Sequence, residues 1–208
     1  MATLTPAAVT AITDLMLACE AFLLAGLTAG RPKARFSAAW FWAGTLLLLG
    51  LGALIGGIDH GFFEPAHLPR YLIQRINWIV LGAMTFCLLM ATAKQFFPPR
   101  IERVALASGL LQFAVDSVFV LMVDSFLDVI LNYAPVIVLL LAMNVAGLKK
   151  GTGSWPMIAG ILIQFAASAI QAIGVDTWSP LDHNGLYHVV SMIGVLFLYL
   201  GGKRLNPR

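Results

Sequence analysis

Seven uninterrupted apolar segments partition the chain, at about 9–29, 37–58, 72–93, 103–123, 125–147, 156–175 and 185–202. Each comes close to the roughly 20 residues a helix needs to cross the hydrocarbon core of a bilayer. Unbroken runs such as 45–55 and 136–142 exclude the alternating strands of about ten residues that build a membrane β-barrel. Of the 208 residues, 60% are hydrophobic and 11% charged. A water-soluble globule of that composition has too few polar groups to cover its surface. The expected fold is therefore all-α, a single integral membrane bundle of seven transmembrane helices over residues 1–208.

Turn residues sit where the helices must end. Gly30-Arg31-Pro32, Pro98-Pro99, Gly151-Thr152-Gly153 and Ser179-Pro180 all separate apolar segments. The shortest joint lies at about 123–128 and predicts a tight turn, with Asp124 or Ser125 capping the helix that follows. Pro135 predicts a kink in helix five.

Charge sets the expected orientation. Arg31, Lys33, Arg35, Lys94, Arg100, Arg103, Lys149, Lys150, Lys203, Arg204 and Arg208 fall on one set of loops, and only Arg70 and Arg75 on the other. The positive-inside rule then places the C-terminus in the cytoplasm and the N-terminus outside, in a plasma (inner) membrane. No basic stretch precedes the first apolar run, so that run reads as a retained span, not a signal peptide. Membrane orientation also accounts for the net charge of +3. Membrane lipids, and other membrane subunits, are the expected partners, and nucleic acid is not. Cys19 and Cys87 lie in apolar segments and read as small buried hydrophobes.

Ionisable and amide side chains inside membrane helices mark candidate sites. With that orientation, Asp14, Glu20, Asn77, Gln112, Asp116, Asn132, Gln164 and Gln171 lie in the outer half or near the midplane. So does the group from Asp182 to Ser191, while Asn144 is the main inner-half exception. The pattern predicts a polar cavity near the extracytoplasmic side. Asn184, His188 and Ser191 share a helix face, Gln164, Ser168 and Gln171 repeat that spacing, and Gln112 pairs with Asp116. The amides and hydroxyls also suit interhelical hydrogen bonds. Glu20 and Asp116 point to function, because a carboxylate at that depth needs a partner; Asp116 is expected to face the interior with one. The aromatic run Trp40-Phe41-Trp42 is expected to face lipid as an anchor or to meet a partner.

Three of the four histidines, His60, His183 and His188, fall at the outer ends of helices two and seven, and His67 lies in a polar loop. Three imidazoles and a water make a catalytic zinc site, and zinc-bound hydroxide attacks amides and esters. His183 and His188 converge if helix seven begins after His183. Asp59 and Asp182 would then supply the carboxylates that usually orient ligating histidines.

Gly56-Gly57-Ile58-Asp59-His60-Gly61 and His183-Asn184-Gly185-Leu186-Tyr187-His188 give the chain a resemblance to the heptahelical CREST superfamily, which includes alkaline ceramidases and progestin and adiponectin receptor relatives. It also resembles small bacterial membrane proteins of unassigned function with the same pattern. The superfamily carries Ser-x-x-x-His at the end of helix two, an Asp near the start of helix three and His-x-x-x-His on helix seven. His60 and His188 match. Gly56 stands at the serine, Asn184 at the first helix-seven histidine, and no aspartate opens helix three, where Asn77 is the nearest polar residue within the helix.

The resemblance implies a zinc-dependent intramembrane hydrolase of a lipid amide or ester. His60, His183 and His188 would hold the metal, Asp116 or Glu20 would carry the proton, and Asn184 would position substrate or water. The alternative is a non-enzymatic heptahelical accessory or scaffold subunit of a larger membrane complex, which suits a small chain with short loops. A retinal protein is disfavoured, because the lysine nearest helix seven, Lys203, lies at its cytoplasmic end.

Overall fold

A computed structural model describes residues 5–31, 33–176 and 181–207. Pro32, Trp178, Ser179-Pro180 and Arg208 lie outside the described residues. The chain forms α1 (Pro6–Ala29), α2 (Ala38–Ile58), α3 (Tyr71–Phe96), α4 (Pro99–Met122), α5 (Phe126–Gly147), α6 (Trp155–Ile173) and α7 (His183–Gly202). A five-residue π turn, Asp59–Phe63, extends α2, and a 3-10 turn, Leu148–Lys150, extends α5. All seven helices are long and apolar enough to cross a membrane. The protein is an all-α integral membrane bundle of seven helices.

Local chemistry explains where the helices begin. The side chains of Thr5, Ser37, Ser125, Ser154 and Asp182 each accept a hydrogen bond from a backbone N–H in the first turn of the helix that follows, satisfying a donor with no partner inside the helix. Proline occupies a first-turn position in α1, α4 and α6, where its missing N–H costs nothing. Ser125 is the cap of α5. Asp124, its expected alternative, bonds to Arg75 at 2.9 Å. Helix α5 continues through Pro135 from Phe126 to Gly147.

Packing proceeds around a ring. Helix α1 meets α2, α2 meets α3, α3 meets α5, α5 meets α6, α6 meets α7, and α7 returns to α1. Helix α4 stands outside the ring against α3 and α5. Its buried positions, Ala105, Gly109, Asp116 and Val120, form one narrow stripe. Most of the rest of α4, including Val104, Leu111, Val115 and Val118, is exposed, as befits a helix bathed in lipid.

The main core gathers Leu17, Leu24, Phe41, Trp42, Leu46, Leu88, Leu140, Met157 and Val195. Two expectations are corrected here. Phe41 and Trp42 are 6% and 2% exposed and belong to this core; of the three aromatics only Trp40 is half-buried. The reason is the close approach of α7, whose Gly202 lies directly against the Trp42 indole. Cys19, conversely, is exposed on the outside of the bundle, while Cys87 is half-buried; both are free thiols.

The C-terminal ends of α1, α3, α5 and α7 and the N-terminal ends of α2, α4 and α6 share one face of the bundle. This is the basic end, and the positive-inside rule assigns it to the cytoplasm. Reporter fusions after Lys150 and after Asn206 are expected to read cytoplasmic, and a tag inserted at Ala66 extracytoplasmic. An external reading at Asn206 would reverse the orientation.

Candidate functional site

At the end opposite the basic one, α1, α2 and α7 bring their polar side chains together. Thr10, Thr13 and Asp14 follow one face of α1 at i, i+3 and i+4. Thr13 Oγ1 lies 3.0 Å from His188 Nδ1. His188 Nε2 lies 3.1 Å from Asp14 Oδ1. Thr13, Asp14 and His188 are 5%, 5% and 7% exposed. With Nε2–H donating to Asp14, Nδ1 accepts from the Thr13 hydroxyl or, on a protonated ring, donates to it. Asp182 accepts from the Gly185 N–H at 2.8 Å as the cap of α7 and from the Thr10 hydroxyl at 3.3 Å. A Cβ on Gly56 would stand 3.4 Å from both Asp14 carboxylate oxygens. The serine of the resembled pattern would therefore stand in contact with the Asp14 carboxylate.

A second network ties down the loop after α2. Arg70 donates to Asp59 through Nε and Nη2, each at 2.8 Å, and its Nη2 lies 3.3 Å from Glu64 Oε2. His60 Nδ1 meets the same Glu64 oxygen at 2.7 Å. The hydrogen bond to Asp59 raises the Arg70 pKa above its ordinary value. At the start of α7, His183 Nδ1 lies 2.8 Å from Asp176 Oδ1, and the His183 backbone N–H donates to the same oxygen at 2.7 Å. Those bonds hold the Asp176 carboxyl below the usual carboxylate range.

The three candidate zinc ligands thus face different partners. His60 turns to Glu64 within its own helix end, His183 to the loop before α7, and His188 inward to α1. His183 is the first residue of α7, behind the Asp182 cap, so its ring and that of His188 leave the helix in different directions. Both nitrogens of His188 are already engaged, whereas a ligand must present a free one. The expected orienting carboxylates are engaged too: Asp59 with Arg70, and Asp182 with Thr10 and the α7 cap. Among the described residues no group of three or more His, Cys, Asp or Glu is arranged to hold a metal ion. The residues present do not fit zinc.

Thr13, His188 and Asp14 stand in the order of a nucleophile, base and orienting carboxylate. The Thr13 hydroxyl, however, also lies 2.9 Å from the Thr10 carbonyl and 3.1 Å from that of Val9. Those acceptors compete with the imidazole for its one proton. All three side chains are more than nine-tenths buried. The trio works as a clamp between α1 and α7.

The remaining candidates are dispersed. Asp116 is 8% exposed and packs over Gly82 of α3, with Oδ2 lacking a hydrogen-bond partner. It faces the interior as expected, but at that oxygen without the expected partner. Glu20 is half-buried on α1, and its Oε2 is likewise unpartnered. Asn184 Oδ1 accepts from Gln171 of α6 at 3.0 Å. The other stripes resolve the same way. Gln164 donates to the Ser191 carbonyl at 3.0 Å, and Gln112 donates to Asn132 Oδ1 at 2.6 Å. Asn144, the inner-half exception, accepts from the Ser154 N–H at 3.1 Å and fastens α5 to the start of α6.

Sequence reasoning missed Thr13 and Arg75. Thr13 was legible only as the neighbour of Asp14. Arg75 is 2% exposed, with Tyr71 and Trp78 ring centroids 4.4 Å from its guanidinium carbon. Its aromatic neighbours at i−4 and i+3 were the available signal.

Residues 9–207 match a family of unknown function, DUF6962. The chain belongs to that family. No curated protein matches it, and no solved structure does. In this DUF6962 protein the match spans all seven helices, and so includes both the α1–α2–α7 cluster and the basic end.

Proposed function

We propose that this protein is a non-enzymatic heptahelical membrane subunit, an accessory or scaffold chain of a larger membrane complex. The observation that carries the reading is the closure of His188, whose two ring nitrogens are held by Thr13 and Asp14. The interhelical pairs Gln112–Asn132, Gln171–Asn184 and Gln164–Ser191 support it. Their polar groups hold neighbouring helices together, the use that small polar side chains commonly have in membranes. Helix α4, outside the ring and open along most of its surface, offers a lateral face for another subunit.

Metal content and hydrolysis together test the reading. Protein purified without chelators is expected to carry no stoichiometric zinc. Reconstituted in lipid, it is expected to release no fatty acid from ceramide-type amides or from lipid esters. One zinc per chain, lost in both His60→Ala and His188→Ala but retained in His67→Ala, would overturn the proposal. It would restore the hydrolase that the CREST resemblance implies.

A further inference from the structure

At the basic end, the last turns of α1 and α7, the first turn of α2 and the tail after Gly202 enclose a cavity of about 350 Å³. Arg31, Lys33 and Lys203 line it beside Thr28, Ala39 and Leu205, and among the described residues no carboxylate side chain does. The tail is fastened in place. The Ala34 N–H donates to the Pro207 carbonyl at 2.7 Å, and the Ala39 N–H to the Asn206 carbonyl at 3.2 Å. The Asn206 N–H donates to Gln95 Oε1 of α3 at 2.8 Å.

The three cations have different duties. Lys33 Nζ donates to the carbonyls of Thr28, Ala29 and Arg31 at 2.8, 2.7 and 2.9 Å. It neutralises the negative end of α1, which would otherwise repel an anion. Lys203 leans over the Tyr199 ring, with Nζ 4.6 Å from its centroid, and is exposed, as is Arg31. The ring accepts only on the side of the ammonium that faces it, so N–H groups of Lys203 remain available on the other side.

An aromatic cluster marks the depth of this cavity. Phe36 is 53% exposed, with its centroid 5.0 Å from that of Trp40 and 5.4 Å from the Arg35 guanidinium carbon. Tryptophan belongs at the headgroup level of a bilayer, and Trp40, half-buried beside Phe36, sits there. Phe36 also has φ of 60°, left-handed backbone that a bulky residue seldom adopts. Its ring meets those of Trp40 and Phe41 at the start of α2.

We propose that this cavity binds the phosphate-bearing headgroup of an anionic membrane lipid, with Arg31 and Lys203 as its ligands. A headgroup arriving in the plane of the membrane reaches the cavity with its acyl chains still in the bilayer, and pockets of this kind between helix ends suit acidic lipids. A soluble anion would have to be drawn from the aqueous phase without that anchorage.

Native mass spectrometry of the full chain in detergent tests this, with phosphatidylglycerol and phosphatidylcholine of equal acyl length titrated separately. Phosphatidylglycerol is expected to bind more tightly than phosphatidylcholine. Arg31→Gln with Lys203→Gln is expected to weaken it about 25-fold, at about five-fold per cation. Both residues are exposed, so the fold is expected to survive. Arg100→Gln with Arg103→Gln removes the same charge from exposed sites elsewhere at the same end and is expected to leave binding unchanged. Equal losses in the two double variants would overturn the site. Equal binding of the two lipids would overturn the anionic specificity. Displacement of phosphatidylglycerol by inorganic phosphate at matching concentration would make it a soluble-anion site instead.

Discussion

Asp14→Leu and His188→Leu, each alone, are expected to destabilise the bundle by about 2–3 kcal/mol, read from unfolding in mixed micelles. Hydrogen bonds between transmembrane helices average only about 0.6 kcal/mol in measured cycles. A larger loss is expected here because each single change strands a polar group that is more than nine-tenths buried. Leaving such a group without a partner costs about 1–3 kcal/mol, and more if it is charged. The double variant removes both groups and is expected to be less destabilised than the sum of the singles, which is the signature of direct coupling. Gly56→Ser provides the opposite arm. Its Cβ has room at 3.4 Å from the Asp14 oxygens, and its hydroxyl gives that carboxylate another donor. A gain of about 1 kcal/mol is expected. Additive losses for Asp14 and His188 would remove the clamp from the account of the fold.

Gly160→Val and Gly201→Val are each expected to cost about 3 kcal/mol, the upper end of the usual range for overpacking. Helices α6 and α7 meet here backbone to backbone. A Cβ on Gly160 would stand 2.8 Å from the Leu198 nitrogen and 2.9 Å from the Gly194 oxygen, and one on Gly201 would stand 2.6 Å from the Met157 nitrogen. Backbone cannot swing aside as a flexible side chain can, so the helices must separate. Separation would also lengthen the Gln164–Ser191 and Gln171–Asn184 hydrogen bonds, now 3.0 Å each. Gly26→Ala is the control. Nothing lies within 4 Å of that position, and the change is expected to stabilise by about 0.5–1 kcal/mol through helix propensity. Thermal unfolding of the three variants in one detergent checks the order. A neutral Gly201→Val would mean that α6 and α7 do not approach this closely.

The linear chain was enough to establish seven helices, their approximate lengths, the Ser125 cap of α5 as one of two alternatives, and the sorting of basic residues to one end. Those properties depend on runs of apolar residues and on local turn chemistry, which each segment carries by itself. From the sequence, the polar groups of α1, α2 and α7 also read as belonging to the outer half of the membrane. What it left open is which way each side chain turns. In water, burial divides apolar from polar faces, and periodicity reports the inside of a helix. In a bilayer the lipid face and the core face are both apolar, so Trp42 reads like a lipid anchor until α7 is seen to lie against it. The same ambiguity governs the histidines. Matching depth made His60, His183 and His188 look like one ligand set, yet ring direction depends on the rotation of α7 against α1, and only the packed bundle decides that. Asp14 lies beside Gly56, and Thr13 reaches the far nitrogen of His188. Neither contact is encoded in spacing along one helix, because each joins residues that come together only when the ring of helices closes.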